Sequence, residues 1–432
     1  MSDTSLSRRR FLRAAGFGAV ALTLGPQILI GSRAGAAGHG GITFACRGDG
    51  RVVAIDEARE AVSATIETGG RGGTLGSLTP SGDKLFVANN AADQRAVSVI
   101  DARSLRHITN VETGNRPKHP VVTPDGRLVA VNHSGLDGRA FRVAFINTAD
   151  NRVAHTAELP VENTAHTGDF SMHGSFSPDG RLFAIGSYAD NRVFVIDTGD
   201  GYRVTPLNVT GNPHYFDWYG REMWVTVEFG EPKGAESRCE IHVFDMRRPA
   251  AGARAQVIRM PCSHGEAENP ARVEGHHGSF SNDGAKFLVC NRGGSPFEGT
   301  SVTVIDRANR RIEKHVISTA NGAGHAYVSP DGRYALLTQY GDTRLPILDL
   351  REMRIVNTLN AGTGGHMGHA TFSADSRKAF VSNRRADEVL VVDLPGQRIT
   401  RRIATAPSGQ AQGQLVNRYY NVFERVVNPH LG

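Results

Sequence analysis

The sequence predicts an all-β fold, a β-propeller with four antiparallel strands in each blade. Two observations carry this prediction: a short turn motif recurs along the chain, and the same pattern of strands follows each copy. Glycine is abundant, at 50 of 432 residues, and charged residues make up only 21%. This composition is typical of a β-protein with many tight turns.

The turn motif recurs about every 45 residues, which is the size of one propeller blade. In most copies, proline presets the first dihedral angle and glycine accepts a positive φ, so each copy predicts a hairpin turn. The copies are residues 79–82, 123–126, 177–180, 217–220, 281–284, 329–332 and a degenerate 373–376.

Strand patterns between the turns predict the number of blades. A β-rich strand follows each turn, then an alternating strand that ends in an acid, such as Val-Ser-Val-Ile-Asp at 97–101, and then a more polar strand. Seven complete units begin near residues 72, 116, 167, 213, 276, 324 and 369. A partial unit at 42–67 has three strands and lacks the innermost one, which residues 419–424 are placed to supply. Closing the ring removes exposed sheet edges, so we expect eight blades, with seven as the alternative.

This combination of turn and strand patterns, from Ile42 to Arg425, resembles the YVTN/YncE-like β-propeller repeat family. The resemblance implies the architecture. It implies little about function, because the propeller fold hosts many unrelated activities.

Residues 1–36 have the features of a twin-arginine signal peptide. Residues 7–12 read Ser-Arg-Arg-Arg-Phe-Leu, an apolar run covers 14–30, and residues 34–36 are Ala-Gly-Ala. We therefore predict a periplasmic protein whose residues 37–432 form a single propeller domain without a membrane span. The signal peptide holds +4 of the formal charge of +6, so the remaining +2 argues against a nucleic-acid partner.

Four cysteines suit an oxidising compartment. Cys239 and Cys262 flank a predicted hairpin, where a disulfide is plausible, whereas Cys46 and Cys290 lie in strands and are expected to be buried, inert thiols. The sequence contains no Cys-x-x-Cys-His motif for attaching a c-type haem.

The clearest functional signal is a histidine at one position in six consecutive blades. Alignment on the turns places it at the start of the innermost strand, although His214 falls one residue short, and the first complete blade has Leu75 there instead. Innermost strands line the central channel of a propeller, so we expect a partial ring of imidazoles at one mouth. The six residues are His119, His173, His214, His277, His325 and His369. Loops on the same face carry His133, Tyr188, Glu228, Asn291, Gln339 and Asn383, with His166, His276 and His366 also nearby.

Imidazole nitrogen is a ligand for zinc, copper and iron, so the main hypothesis is a periplasmic metal-binding propeller that handles zinc or copper. Such a protein is either a metallochaperone or a metalloenzyme, and the partners that this hypothesis predicts are the metal ion and a periplasmic transport protein. Six histidines exceed the needs of one ion, and the channel of an eight-bladed ring is wide. Two metals, a cluster or a larger ligand are therefore also open.

Three alternatives remain. The first is a cofactor protein resembling the cytochrome d1-type propellers, in which an eight-bladed ring holds a modified haem through an axial histidine. It is disfavoured because one or two histidines would be enough for that role. The second is a propeller hydrolase, which is disfavoured because the mouth is rich in imidazole rather than carboxylate. The third is a scaffold for protein interactions, in which the histidines have no ligand.

Overall fold

The structure is a computed structural model that describes residues 41–405, except 172, 229–238, 261–274, 295–296, 319, 364 and 366. The signal peptide at 1–36 and the candidate closing strand at 419–424 lie outside the described residues. So do Cys262 and His366, and the disulfide and domain-boundary predictions therefore stay predictions.

The described residues form eight antiparallel sheets, which we number as blades 1 to 8 in chain order. Blade 1 contains β1 Ile42–Cys46, β2 Arg51–Asp56 and β3 Ala61–Glu67. Blade 2 contains β4 Gly73–Leu78, β5 Lys84–Asn89, β6 Ala96–Asp101 and β7 Arg106–Glu112. Blade 3 contains β8 Pro117–Val122, β9 Leu128–His133, β10 Phe141–Asn147 and β11 Arg152–Leu159. Blade 4 contains β12 Gly174–Phe176, β13 Leu182–Ser187, β14 Arg192–Asp197 and β15 Arg203–Asn208.

The second half of the ring repeats this order. Blade 5 contains β16 Asn212–Tyr219, β17 Glu222–Glu228, β18 Glu240–Asp245 and β19 Gln256–Arg259. Blade 6 contains β20 Gly275–Phe280, β21 Lys286–Gly294, β22 Phe297–Asp306 and β23 Arg311–Ile317. Blade 7 contains β24 Ala323–Val328, β25 Tyr334–Gln339, β26 Arg344–Asp349 and β27 Arg354–Asn360. Blade 8 contains β28 Met367–Phe372, β29 Lys378–Asn383, β30 Glu388–Asp393 and β31 Arg398–Ala404.

These sheets confirm the eight-bladed prediction, and the turn motif explains how each hairpin forms. In blade 4, the amide of Gly180 donates to the carbonyl of Ser177 at 2.8 Å, and φ of Gly180 is +71°. The Ser177 hydroxyl donates to Asp179 at 2.6 Å and accepts from the amide of Leu182 at 2.9 Å. The side chains of the motif therefore satisfy the polar groups of the turn.

Apolar side chains pack between neighbouring blades and close the ring. Phe145 of blade 3 contacts Phe183 of blade 4, for example, with ring centroids 6.0 Å apart. At the seam between the ends of the chain, a buried cluster joins blade 1 to blade 8. Lys378 of blade 8 forms an ion pair with Glu60 at 2.7 Å, and Arg47 donates to Thr405 at 3.2 Å. The ring is therefore closed by packing and by polar contacts.

Blade 1 has three strands among the described residues, as the sequence predicts. Its first strand, β1, pairs with β2 in the register that second and third strands have in the other blades. Among the described residues, no strand occupies the innermost position of this blade. In the described part of the chain, no helix has the length and apolar character that a membrane crossing requires.

Candidate functional site

The innermost strands carry the histidines at a β-bulge. Six of these strands, β4, β8, β16, β20, β24 and β28, shift register near their first residues. A bulge leaves a residue unpaired and redirects its side chain. His119, His214 and His277 lie within or beside the shift in their strands, and His173 immediately precedes the short β12. The repeated bulge therefore turns one side chain into the channel in each of these six strands.

Strand pairing places His214 at the same position in its blade as the other five histidines. In the alignment on the turns, it lies one residue closer to the turn glycine than they do. Asn212 pairs with the last residue of β17, and His214 follows two positions later. His277 stands in the same relation to Gly275, and His325 to Ala323. The missing residue in this blade lies after the histidine, towards the turn.

The six histidines form one buried cluster, which we call the channel cluster. Each is 3–6% exposed. His173 contacts His119, His214 and His277, with ring centroids 5.2, 5.4 and 4.9 Å apart. His325 contacts His277 at 3.6 Å and His369 at 4.7 Å. The imidazoles of blades 3 to 8 therefore meet, so the expected separation by a wide channel does not occur.

Tyrosine hydroxyls bind the Nδ1 atoms of three cluster histidines. Tyr188 is hydrogen-bonded to His214 and Tyr327 to His369. Tyr340 is hydrogen-bonded to His325 at 3.1 Å. A partner at Nδ1 fixes the ring so that Nε2 points away from the strand, as it does in ligand-binding histidines generally.

A buried carboxylate stands behind the cluster in blades 5 and 6. Oε1 of Glu228 lies 3.2 Å from Nδ1 of His214 and 3.2 Å from Nδ1 of His276. Nε2 of His214 is in turn 3.1 Å from Nε2 of His277. Two sets of side chains bring ligand atoms within 4.8 Å of one another: His173 with His214 and His277, and His214 with Glu228 and His276.

Burial keeps the deepest imidazoles neutral. It lowers the pKa of His173, His276 and His277 well below the ordinary value of 6.5, and neighbouring imidazoles act in the same direction. Neutral imidazole has a lone pair for a metal centre at neutral pH, whereas protonated imidazole has none. Nδ1 of His173 is buried and has no hydrogen-bond partner among the described residues.

Cationic side chains lie around the same mouth. Lys118 precedes His119 and forms an ion pair with Asp169 at 2.9 Å, and Arg116 reaches the same carboxylate at 3.2 Å. The guanidinium of Arg292 lies 5.8 Å from the ring centre of Tyr340. These groups offer positive charge to an anionic part of a ligand.

The other polar residues predicted at this face divide into two groups. Tyr188 and Glu228 contact the cluster, as described above. His133 forms its hydrogen bonds outside the cluster: Nδ1 binds the carbonyl of Arg142 in the same blade at 2.9 Å, and Nε2 binds Thr113, directly after the last strand of blade 2, at 3.1 Å. Asn291 and Asn383 form hydrogen bonds to their neighbouring strands, and Gln339 to the backbone of its own strand. His166 lies on the loop before β12 and contacts Phe170.

Sequence reasoning missed the tyrosines of the inner strands. Tyr215 directly follows His214 and stacks on His277, with ring centroids 4.3 Å apart. Tyr327 lies two residues after His325 and reaches the histidine of the next blade. The sequence offered little signal for them, because an aromatic residue follows the histidine within two positions in only two of the six blades.

This chain is similar to proteins whose names refer to a d1-type haem. A family model described as the cytochrome D1 heme domain matches residues 32–220. The dihydro-heme d1 dehydrogenase of Pseudomonas aeruginosa is 24% identical over 318 residues, which are 61% of this chain and 58% of that protein. The chain therefore spans less than two thirds of this relative.

Solved structures support the fold. Dihydro-heme d1 dehydrogenase NirN in complex with DHE gives a TM-score of 0.67 at 18% identity, covering 89% of this chain and 76% of that one. Kuenenia stuttgartiensis hydrazine synthase gives 0.54 at 17% identity, covering 74% and 95%.

The prediction that this protein handles zinc or copper is wrong, and so is the metal-ion partner that came with it. The matched family and the matched relative are both named for a d1-type haem. The error has a physical cause: imidazole is the ligand of zinc and copper and also the axial ligand of haem iron, so residue type alone does not separate them. The surplus of histidines left a larger ligand open, but it also counted against a haem, because one or two histidines are enough to hold one.

Proposed function

We propose that this protein binds a d1-type haem, or its dihydro form, in the channel of the propeller, with a cluster histidine as axial ligand of the iron. The observation that carries the proposal is the convergence of six buried imidazoles from blades 3 to 8 into one cluster. The family match and the named relative support the identity of the ligand.

The residues present fit a haem in their chemistry. The deepest imidazoles are neutral because burial lowers their pKa, so they are competent ligands. Tyr215 and Tyr340 add flat apolar faces beside them, and Lys118 and Arg292 add positive charge for carboxylate side chains of a tetrapyrrole. When bound, the haem supplies the redox chemistry of its iron and macrocycle.

We expect the axial ligand in the segment that the family model covers, because that segment is the part of the chain that resembles the haem domain. That segment contains three of the six histidines: His119, His173 and His214. Some imidazole rings lie too close together for a macrocycle to fit between them; the ring centroids of His277 and His325, for example, are 3.6 Å apart. We therefore expect the imidazoles to separate on binding.

The test is a titration of the purified, ligand-free protein with haem d1 and with dihydro-haem d1, followed by visible absorption. Saturation at one equivalent supports the proposal, and alanine at the axial position among His119, His173 and His214 should alter the absorption band. His155→Ala is the control. His155 lies in β11, the outermost strand of blade 3, where it stacks on Tyr202 away from the channel. Failure of the parent to bind either haem, or an unchanged band in all three variants, would contradict it.

We further propose export to the periplasm through the twin-arginine motif at residues 7–12. Changing both Arg8 and Arg9 to lysine should retain the protein in the cytoplasm, as cell fractionation would show. A periplasmic double variant would rule out this route.

A further inference from the structure

A carboxylate-bridged pair of cations, Arg116 and Lys118, stands at the channel mouth beside the cluster. Asp169 places Oδ1 3.2 Å from Arg116 and Oδ2 2.9 Å from the Lys118 ammonium, so each oxygen serves one cation. The Lys118 side chain is only 12% exposed. A nearly buried ammonium needs an anionic partner, because an unpaired buried charge is costly.

Both cations are held in place by the strand start that positions His119. Lys118 sits in the bulge between Pro117 and His119. The amide of Arg116 donates to the carbonyl of Gln94 at 2.9 Å, and its own carbonyl accepts from Ser134 at 2.9 Å. The cations are therefore part of the rigid wall of the channel.

Asp169, in contrast, belongs to a loop with little packing. Residues 160–173 connect β11 to β12, and all of residues 162–168 except His166 are exposed. Gly168, next to Asp169, has φ of +110°, a conformation open to glycine. The loop is held at its start, where the amides of Glu162 and Asn163 donate to Asp190 at 3.2 and 2.9 Å, and again at Phe170, which is buried against Phe141; residues 164–169 lie between these two points. The acid can therefore leave the cations without disturbing the core.

The cation pair has capacity beyond Asp169. Nε of Arg116 is buried and has no hydrogen-bond partner among the described residues. An arginine presents several N–H donors in a fixed plane and is suited to two-point binding of a carboxylate. The pair lies close to the cluster, since Lys118 directly precedes His119, whose ring contacts that of His173 with centroids 5.2 Å apart.

We propose that Arg116 and Lys118 form a subsite for an ionised carboxylate of the bound tetrapyrrole, and that Asp169 occupies this subsite as an internal competitor. This inference rests on the proposed haem-binding function. The chain's own carboxylate shows the geometry that the ligand adopts, one oxygen on each cation. Entry of the ligand carboxylate displaces Asp169, and the exposed loop moves with it.

Asp169→Asn is the direct test, measured as the dissociation constant for haem d1 and for its methyl ester. Removing the competing charge should tighten binding of the acid form about three- to tenfold, the size expected for a partly exposed ion pair. Binding of the ester should not change, because the ester has no carboxylate to place on the cations.

Lys118→Met provides the second measurement. It should weaken binding of the acid form and leave the ester unaffected, so selectivity for acid over ester falls. Asp137→Asn is the matched control: Asp137 also bridges two cations on this face, Arg95 at 3.0 Å and Arg142 at 3.2 Å, and is 18% exposed. Its affinities should equal those of the parent.

The outcomes separate this inference from the function on which it rests. If the parent binds neither form, the haem-binding proposal fails. If the parent binds haem d1 but Asp169→Asn and Lys118→Met bind both forms as the parent does, the subsite alone is refuted. Equal gains for acid and ester in Asp169→Asn would also refute it, because the effect would then not depend on the carboxylate.

Discussion

Blade 2 and blades 3 to 8 differ at one position of an otherwise common inner strand. In β4 the register shifts between Gly73 and Gly76, as it does at the histidines of β8, β16, β20, β24 and β28, yet the residue there is Leu75. Leu75 is fully buried, and each of the six histidines is at most 6% exposed. The bulge is thus a property of the repeat. The residue at the bulge determines whether the position contributes an apolar side chain to packing or an imidazole to the candidate site.

Replacing the leucine of blade 2 with histidine should have the largest effect on stability. Leu75→His places an imidazole in a site that holds an apolar residue, so it loses hydrophobic burial and adds an unpaired polar group. We expect a loss of about 3–4 kcal/mol in the free energy of unfolding. Urea unfolding measures it, and a loss below about 1 kcal/mol would mean that blade 2 accepts histidine as the other blades do.

The pH dependence of stability sharpens the comparison with a histidine that serves only structure. Burial lowers the pKa of His133 to about 4. Below about pH 6.5 the unfolded chain takes up a proton that the folded chain refuses, so stability falls as the pH falls to about 4. This histidine alone should cost about 3 kcal/mol over that window.

His133→Gln tests that assignment by comparison with the parent at pH 7, 5.5 and 4. The variant should be less stable at pH 7 and should lose less stability on acidification. Parallel slopes in the two proteins would show that His133 does not titrate on unfolding in this range.

The reciprocal exchange, His173→Leu, should have a smaller effect of opposite sign. Nδ1 of His173 is a buried polar atom without a partner among the described residues. Replacing it with an apolar side chain should raise the free energy of unfolding by about 1 kcal/mol, while haem binding weakens. A clear loss of stability would show that His173 contributes to packing as Leu75 does.

Two buried thiols, one in each part of the ring, should be equally unreactive. Cys46 lies in blade 1, and burial raises its thiol pKa to about 12; Cys290 lies in blade 6, and burial raises its pKa as well. Neither should react with iodoacetamide at pH 8 in the folded protein, and both should react in urea. Peptide mass spectrometry would detect a faster Cys290, which would indicate local opening on the histidine side.

Repetition in the sequence explains why the fold was predictable. Each turn and each alternating strand occurs several times, so a local pattern such as residues 97–101 is supported by its copies. The position of the histidines followed from the same alignment, and strand pairing gives His214 the same level as the others. The missing inner strand of blade 1 was predicted by the same count.

The composition of the site was less predictable, because it depends on contacts between blades. Whether His173 reaches His277 across blade 5 depends on how far the bulges turn the side chains inward. Tyr327 of blade 7 reaches His369 of blade 8, a pairing that no single repeat encodes. The ligand class was misjudged because zinc, copper and haem iron all accept imidazole.

The seam of the ring joins residues far apart in the chain, since Arg47 contacts Thr405, 358 positions later. During synthesis, blade 1 emerges first and its partner in blade 8 last, so the apolar faces that meet there are without cover for most of translation. Closing so long a loop is also a slow step for a β-protein. A closed channel therefore exists only once the last blade has left the ribosome, and we expect the nascent chain to need protection until then.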